Sequence, residues 1–341
     1  MKQKITLKDI AAHFKVSVST VSKALNDSHE ISSGTKRKIV DYAKKQHYRP
    51  NLNAVKLSKK EQTATIGVII PNILNFFFAQ VFSGIEKEAN ARGYNIISCI
   101  SNESIEKEMA TMEMLKNGVV SGLLVSLSEE TEKLKKIDHF KKFMDRGVPM
   151  VMFDRVSNAI ACDKIIVDDF EGAYNATAHF IKSGCRRIAV VSILDHLEIG
   201  RLRIKGYKKC LTDHDIKIDE KLIIRNFERD FLETEVKTML IANKVDAILG
   251  LEEFAAVNSM ARAKDLGFRI PDDISIIGFT NGMLPKYVTP TITSVSQHGK
   301  FIGQKATQML INRIEEDDTT SDSFNTEVIK TTLVLRESTK N

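Results

Sequence analysis

The chain has 341 residues, 43% of them hydrophobic and 28% charged, with 50 Lys+Arg against 44 Asp+Glu. That length suits two or three domains, and that composition excludes a disordered chain. No apolar run is long enough to span a bilayer, and the polar start Met1–Ile10 lacks a signal-peptide core, so a cytoplasmic protein with no membrane partner is expected.

The charge is unevenly spread. The first 62 residues carry 14 Lys+Arg against 5 Asp+Glu, and the remaining 279 carry 36 against 39. A basic head on a mildly acidic body points to a polyanion gripped at one end.

Within the head, Thr6 and Asp9 have the spacing of a capping box, and Leu7, Ile10, Ala11 and Phe14 form one apolar stripe on a short helix. Ser17 can cap a second helix with Val21, Ala24 and Leu25 inward, which Asn26 and Asp27 stop. Ser32 or Ser33 can cap a third, with Ile39, Val40 and Ala43 inward, running to about Gln46. Two short helices with a tight turn, closed by a third, form a helix-turn-helix module. Its second helix leaves Val18, Ser19, Ser22 and Lys23 outward. Lys23 can reach guanine O6/N7, Ser19 can bond either kind of groove-edge group, and Val18 can touch a thymine methyl. Thr20, Ser32 and Thr35 are hydroxyls suited to phosphate oxygens. Thr6, Ser17 and Asn26, which border these helices, complete the candidate DNA-binding set in the head.

After Tyr48-Arg49-Pro50, residues 51–60 are basic and weakly amphipathic. Leu57 is an apolar side chain on that basic segment, suited to wedging between base steps in a minor groove, or else a plain linker leucine.

From Thr65 onward, β-rich runs alternate with helical stretches. Strands are expected at Ile66–Ile70, Asn95–Ile100, Gly122–Val125, Met150–Phe153 and Ile165–Val167, with helices near Phe78–Arg92 and Ile105–Asn117. A second set of strands is expected at Arg187–Ser192, Leu222–Arg225, Ala247–Leu249, Ser275–Ile277 and Thr291–Val295. Its helices fall near Ala173–Ser183, Arg201–Asp213, Leu232–Ala242 and Ala255–Leu266. Val328–Leu335 is expected to add one edge strand. Alternation of this kind means parallel sheets covered by helices, and about 280 residues of it divide into two lobes with a cleft at their strand ends.

Cys99, Cys162, Cys185 and Cys210 form no C-x-x-C pair and are expected as reduced thiols, without metal or disulfide. The chain carries no Walker loop, G-x-G-x-x-G, G-x-S-x-G or H-E-x-x-H, so no catalytic residue and no cofactor is assigned, and an enzyme is not expected.

The segments Leu7-Lys-Asp-Ile-Ala-Ala, Val16-Ser-Val-Ser-Thr-Val-Ser-Lys-Ala-Leu-Asn26, Ile31-Ser with Thr35, and Tyr48-Arg-Pro-Asn51 resemble the DNA-binding head of the lactose/galactose-repressor family. The likeness continues through Ile66-Gly-Val-Ile-Ile-Pro71, Phe153-Asp-Arg155, Gly206-Tyr207, Pro271-Asp-Asp-Ile-Ser-Ile-Ile-Gly278-Phe and Thr289-Pro290. It implies an all-α helix-turn-helix head plus an α/β body, a two-lobed periplasmic-binding-protein-like fold with parallel sheets. The chain would cross three times between the lobes. Boundaries follow at 1–48 for the head, 49–63 for a hinge segment and 64–341 for the effector-binding and dimerising body.

By the same resemblance, base contacts fall on Val18, Ser19 and Lys23, the minor-groove wedge on Leu57, and effector contacts on Phe77 or Phe78, Asp154, Arg203, Glu252, Thr280, Asn281 and Gln297. Three positions depart from relatives. Lys23 stands where many have arginine, Glu252-Glu253 where Asn-Asp is common, and Thr280-Asn281 where an acidic residue is common. The implied protein is a dimeric repressor of carbohydrate-metabolism genes on a pseudopalindromic double-stranded DNA operator, controlled by a sugar-like small molecule. A protein co-regulator in place of that molecule, a binding module without DNA function, and a sugar-processing enzyme with a DNA-binding head remain as alternatives.

Overall fold

A computed structural model describes residues 7–25, 28, 30–45, 65–115, 119–225, 229–315 and 323–340. The chain separates into two compact units, 1–62 and 63–341.

The first unit holds α1 (Leu7–Phe14), α2 (Val18–Leu25) and α3 (Ser33–Lys45). Ile10, Val21 and Ile39, one from each helix, are fully buried against each other, with Ala11, Ala24 and Ala43 filling between them. Phe14 meets Tyr42 edge-on at 5.4 Å, and His13 stacks on the same ring at 4.0 Å. The Ser17 hydroxyl accepts the Thr20 amide at 3.1 Å and starts α2. Ser32 does the same for Thr35 at 3.4 Å and starts α3, which settles the choice between Ser32 and Ser33.

The second unit is two α/β lobes. The first lobe contains β1 (Thr65–Ile70), α4 (Phe76–Ala91), β2 (Asn95–Ile100), α5 (Ile105–Leu115), β3 (Gly122–Val125), α6 (Glu129–Leu134), α7 (Asp138–Met144), β4 (Met150–Phe153) and β5 (Asp163–Val167). The second contains α8 (Asp169–Lys182), β6 (Ile188–Ser192), α9 (Glu198–Asp213), β7 (Ile223–Arg225), α10 (Arg229–Asn243), β8 (Ala247–Gly250), α11 (Glu253–Asp265), β9 (Ser275–Phe279), α12 (Leu284–Tyr287) and β10 (Thr293–Ser296). Helix α13 (Gly299–Glu315) and β11 (Thr326–Ile329) return to the first lobe, and β12 (Thr332–Val334) ends in the second.

Strand order is β11-β5-β4-β3-β1-β2 in the first sheet and β12-β10-β9-β8-β6-β7 in the second. All pairings are parallel except β10 with β12. Strands such as β1, β3, β4 and β9 are buried along their whole length, as in parallel sheets covered on both faces.

One expectation needs correcting. Val328–Leu335 is not one edge strand but two short ones in different lobes, because Lys330 and Thr331 carry the chain from one sheet to the other. Helix α13 was not anticipated at all. It lies against α4 at a crossing made of glycines. A Cβ on Gly84 would sit 2.0 Å from the Lys300 carbonyl oxygen, and one on Gly303 would sit 2.0 Å from that of Val81.

The chain crosses between lobes at Asp168, at Gln297-His298 and at Lys330-Thr331. These spans are bonded together. The Asp168 amide donates to the Ile329 carbonyl at 3.0 Å, and His298 Nε2 lies 3.0 Å from Thr332 Oγ1. Among the described residues, no helix is long and apolar enough to cross a membrane.

Candidate functional site

In the head, the outward face of α2 presents Val18, Ser19 and Lys23, all exposed. Val18 on that face is 41% accessible. The Ser17 hydroxyl lies 2.7 Å from Ser19 Oγ and 2.8 Å from Thr20 Oγ1, so the three hydroxyls form one chain at the start of the helix. Ser32 Oγ donates to Thr35 Oγ1 at 2.9 Å at the start of α3. Lys23 is ion-paired to Glu30, both side chains about half exposed, so its ammonium already has a carboxylate partner within the head. Thr6, Asn26, the Ser22 side chain, Leu57 and the hinge segment 49–63 lie outside the described residues.

In the body, two of the expected effector residues directly follow strands. Asp154 follows β4 and Thr280 follows β9, the same position in each lobe. Both have positive φ, 61° and 75°. For a β-branched residue that conformation is strained, and strain of this kind collects at binding sites. Asp154 is buried, its Oδ1 has no hydrogen-bond partner, and burial pushes its carboxyl up to about 7. Arg155 and Arg203 oppose that shift, and Asp169 and Glu132 add to it, so groups of both lobes act on one carboxyl.

Arg203, on α9, is 2% exposed. Its Nε and Nη2 both lie 2.7 Å from Asp169 Oδ1, its Nη1 donates to the Leu251 carbonyl at 2.6 Å, and its guanidinium lies 4.1 Å over the Phe279 ring. This is a paired and stacked arginine in the wall of lobe 2. Burial raises the Asp169 carboxyl, and Arg203 counters it.

The remaining expected contacts are partly committed within the fold. Phe77 and Phe78 are buried in the first-lobe core and meet each other edge-on at 5.3 Å, so the packing role is met by both. Phe78 also lies under the Arg155 guanidinium, 5.6 Å away. Glu252 caps its own helix, accepting the amides of Phe254 and Ala255 at 2.6 Å. The oxygen of Asn281 is held by Arg336. Thr280 Oγ1 donates to the buried Gln297 at 2.8 Å.

Two serines at the same strand ends were not named from sequence. Ser101 follows β2 and Ser126 follows β3, both buried with hydroxyls that have no partner. Arg155, already part of the Phe153-Asp-Arg155 run in the sequence, is buried, donates to Glu103 at 2.7 Å and keeps an unpartnered Nε. The usable signal was position, a polar residue directly after an apolar strand.

Residues 6–51 match the profile described as bacterial regulatory proteins of the lacI family, and residues 177–339 match the periplasmic binding protein-like domain. The HTH-type transcriptional repressor PurR of Vibrio atlanticus (strain LGP32) is 33% identical over 319 residues, 92% of this chain and 93% of its own. The HTH-type transcriptional regulator DegA of Bacillus subtilis (strain 168) is 29% identical over 88% of both chains. Among solved structures, the lac repressor dimer bound to operator and the anti-inducer ONPF matches with TM-score 0.77 at 22% identity, over 99% of this chain and 100% of that one. A periplasmic binding protein/LacI transcriptional regulator from Alkaliphilus metalliredigens QYMF, complexed with D-xylulofuranose, matches with TM-score 0.68 at 27% identity, over 82% of this chain and 100% of its own. With a three-helix basic head and a two-lobed α/β body matched over nine-tenths of its length, the chain belongs to the lacI family of DNA-binding transcriptional repressors.

Proposed function

We propose that this protein works as a homodimer that reads a pseudopalindromic operator and responds to a hydroxyl-rich small molecule held between its two lobes. The observation that carries the DNA half is the exposed Val18, Ser19 and Lys23 face of α2 on a head with large positive charge. Short side chains at the start of a recognition helix let the backbone approach the major groove, and two heads read half-sites about one helical turn apart. Leu57, in the segment 49–63 between head and body, wedges the centre of the site, where a deformable step lowers the cost of bending.

For the effector, the support is chemical. Asp154 brings an acceptor without a partner, and Ser101 and Ser126 bring hydroxyls without partners, all from strand ends of one lobe. Such groups suit a ligand rich in O–H donors. Arg203 is buried and already neutralised by Asp169, so it offers no free cation, which favours a neutral ligand over a free carboxylate. A sugar meets both conditions, as does the ketose named with the Alkaliphilus structure. Ligand shifts the balance between open and closed lobes by its differential affinity for the two.

The test is selection of bound duplexes from random DNA by the full-length protein, followed by gel shifts against salt. A palindromic consensus and a steep salt slope are expected; equal binding to all sequences refutes the reading. Thermal-shift screening of sugars, sugar acids and sugar phosphates tests the effector, with neutral sugars expected to raise the melting temperature most.

A further inference from the structure

We propose that Glu132 of the first lobe acts as the missing N-cap of helix α9 in the second, so that closing the lobes completes that helix and the body carries a clasp of its own.

Helix α9 begins at Glu198 after Leu197, an apolar N-cap that makes no side-chain cap hydrogen bond. A helix start of this kind offers its first amides no acceptor from its own N-cap side chain, although Glu198 places one carboxylate in the first turn. The acceptor comes from the other lobe, where Glu132 Oε1 takes the Glu198 amide at 2.5 Å. Two further contacts flank it. Glu129 Oε1 lies 3.0 Å from His196 Nε2, and Arg201 Nη2 lies 3.6 Å from Glu132 Oε1 while it holds Glu198 at 2.9 Å.

Glu129 and Glu132 are three residues apart on α6 and so share one face. The six-residue helix is tied down from behind. Ser128 caps it at the Thr131 amide, 3.3 Å. The fully buried Glu108 accepts from the Ser128 amide at 2.8 Å and from the Thr131 hydroxyl, and lies 2.9 Å from His139 Nε2. Glu103 accepts the Glu129 amide, and Glu130 accepts the Ile105 amide, each at 2.9 Å. A short polar helix with no apolar stripe of its own is thereby held as a rigid platform, with two of its carboxylates left for the neighbouring lobe. Helix α9 also carries Arg203, about one and a half turns from the clasp, so the cap that closes the lobes steadies the helix bearing that buried guanidinium.

The experiment is hydrogen exchange on the full-length protein without ligand, comparing wild type with Glu132→Ala, Glu132→Gln and the neighbouring exposed control Lys133→Ala. With the clasp, Glu132→Ala speeds exchange at residues 198–200 by about fivefold, the size of a lost cap, while residues 128–134 keep their protection. Glu132→Gln, which retains an acceptor oxygen, keeps part of the protection at 198–200, and Lys133→Ala leaves it unchanged. Unchanged exchange at 198–200 in Glu132→Ala overturns the proposal. So does equal deprotection of 128–134 and 198–200, which makes Glu132 a fold residue of α6 alone.

Discussion

Asp154→Asn should make the body more stable, and more so at high pH. The carboxyl has an ordinary value of 3.8 and is raised to about 7 by burial. Below about pH 4 both folded and unfolded chains hold the proton and nothing is lost. Between about 4 and 7 the unfolded chain ionises while the folded one stays protonated, so stability falls as pH rises, and the cost levels off above about 7. With these two values the cost is about 2 kcal/mol at pH 5 and about 4 kcal/mol at pH 8, a difference on the order of 2 kcal/mol. Because the group is 5% exposed, solvent screening removes little of it. Asparagine is nearly isosteric and tolerates the positive φ of 61°, so the backbone there survives the change. The assay is thermal unfolding of wild type and variant at the two pH values. The advantage of the variant should be larger at pH 8 by about 4 °C for a body of this size. An equal difference in Tm at both pH values refutes the account of Asp154 as a buried, proton-binding carboxyl.

Arg203→Ala leaves the buried Asp169 carboxylate unpaired and should cost about 3–5 kcal/mol in denaturant unfolding, much of it recovered in the double variant with Asp169→Asn. The recovery separates a buried ion pair from simple loss of packing. Ile39→Ala removes the centre of the head's small core and should cost about 2–5 kcal/mol there, abolishing operator binding while the melting of the body stays as it was. Gly84→Ala places a Cβ 2.0 Å from the Lys300 carbonyl and should destabilise the first lobe by about 1–3 kcal/mol, read by chemical denaturation. Lys23→Ala should relax discrimination at one base pair by about 1–3 kcal/mol in competition gel shifts; uniform weakening on all sequences would make Lys23 a phosphate contact instead.

The strands were legible because they are short apolar runs ended by polar residues, and β2, β3 and β4 begin and end where the pattern does. Helix α13 was invisible for an equally physical reason. Its inward positions include Gly299, Gly303, Ala306 and Thr307, small residues chosen for close approach to α4, and they dilute the hydrophobic stripe. Helix α6, Glu-Glu-Thr-Glu-Lys-Leu, has no stripe at all and owes its place to bonds made by Glu108 and Ser128. Asp154 could be picked from sequence as a charge at a strand end, whereas Arg203 came from the family resemblance alone. Glu252 and Asn281 could be picked too, but their hydrogen bonds to Ala255 and Arg336 depend on where the chain folds back. Contacts between the lobes, such as Glu132 with the Glu198 amide, join positions 66 residues apart and leave no local trace.

Three spans of one or two residues run side by side between the lobes and are bonded to one another. A single tether would leave three rotations free, whereas three parallel ones behave like pins set along a single line. Sliding and twisting apart would have to stretch backbone, so the soft coordinate left is swinging about that line. Signals between cleft and distant surfaces then travel as one angle, and lengthening any one of the spans, for example by inserting glycines beside Lys330, should blur that angle without unfolding either half.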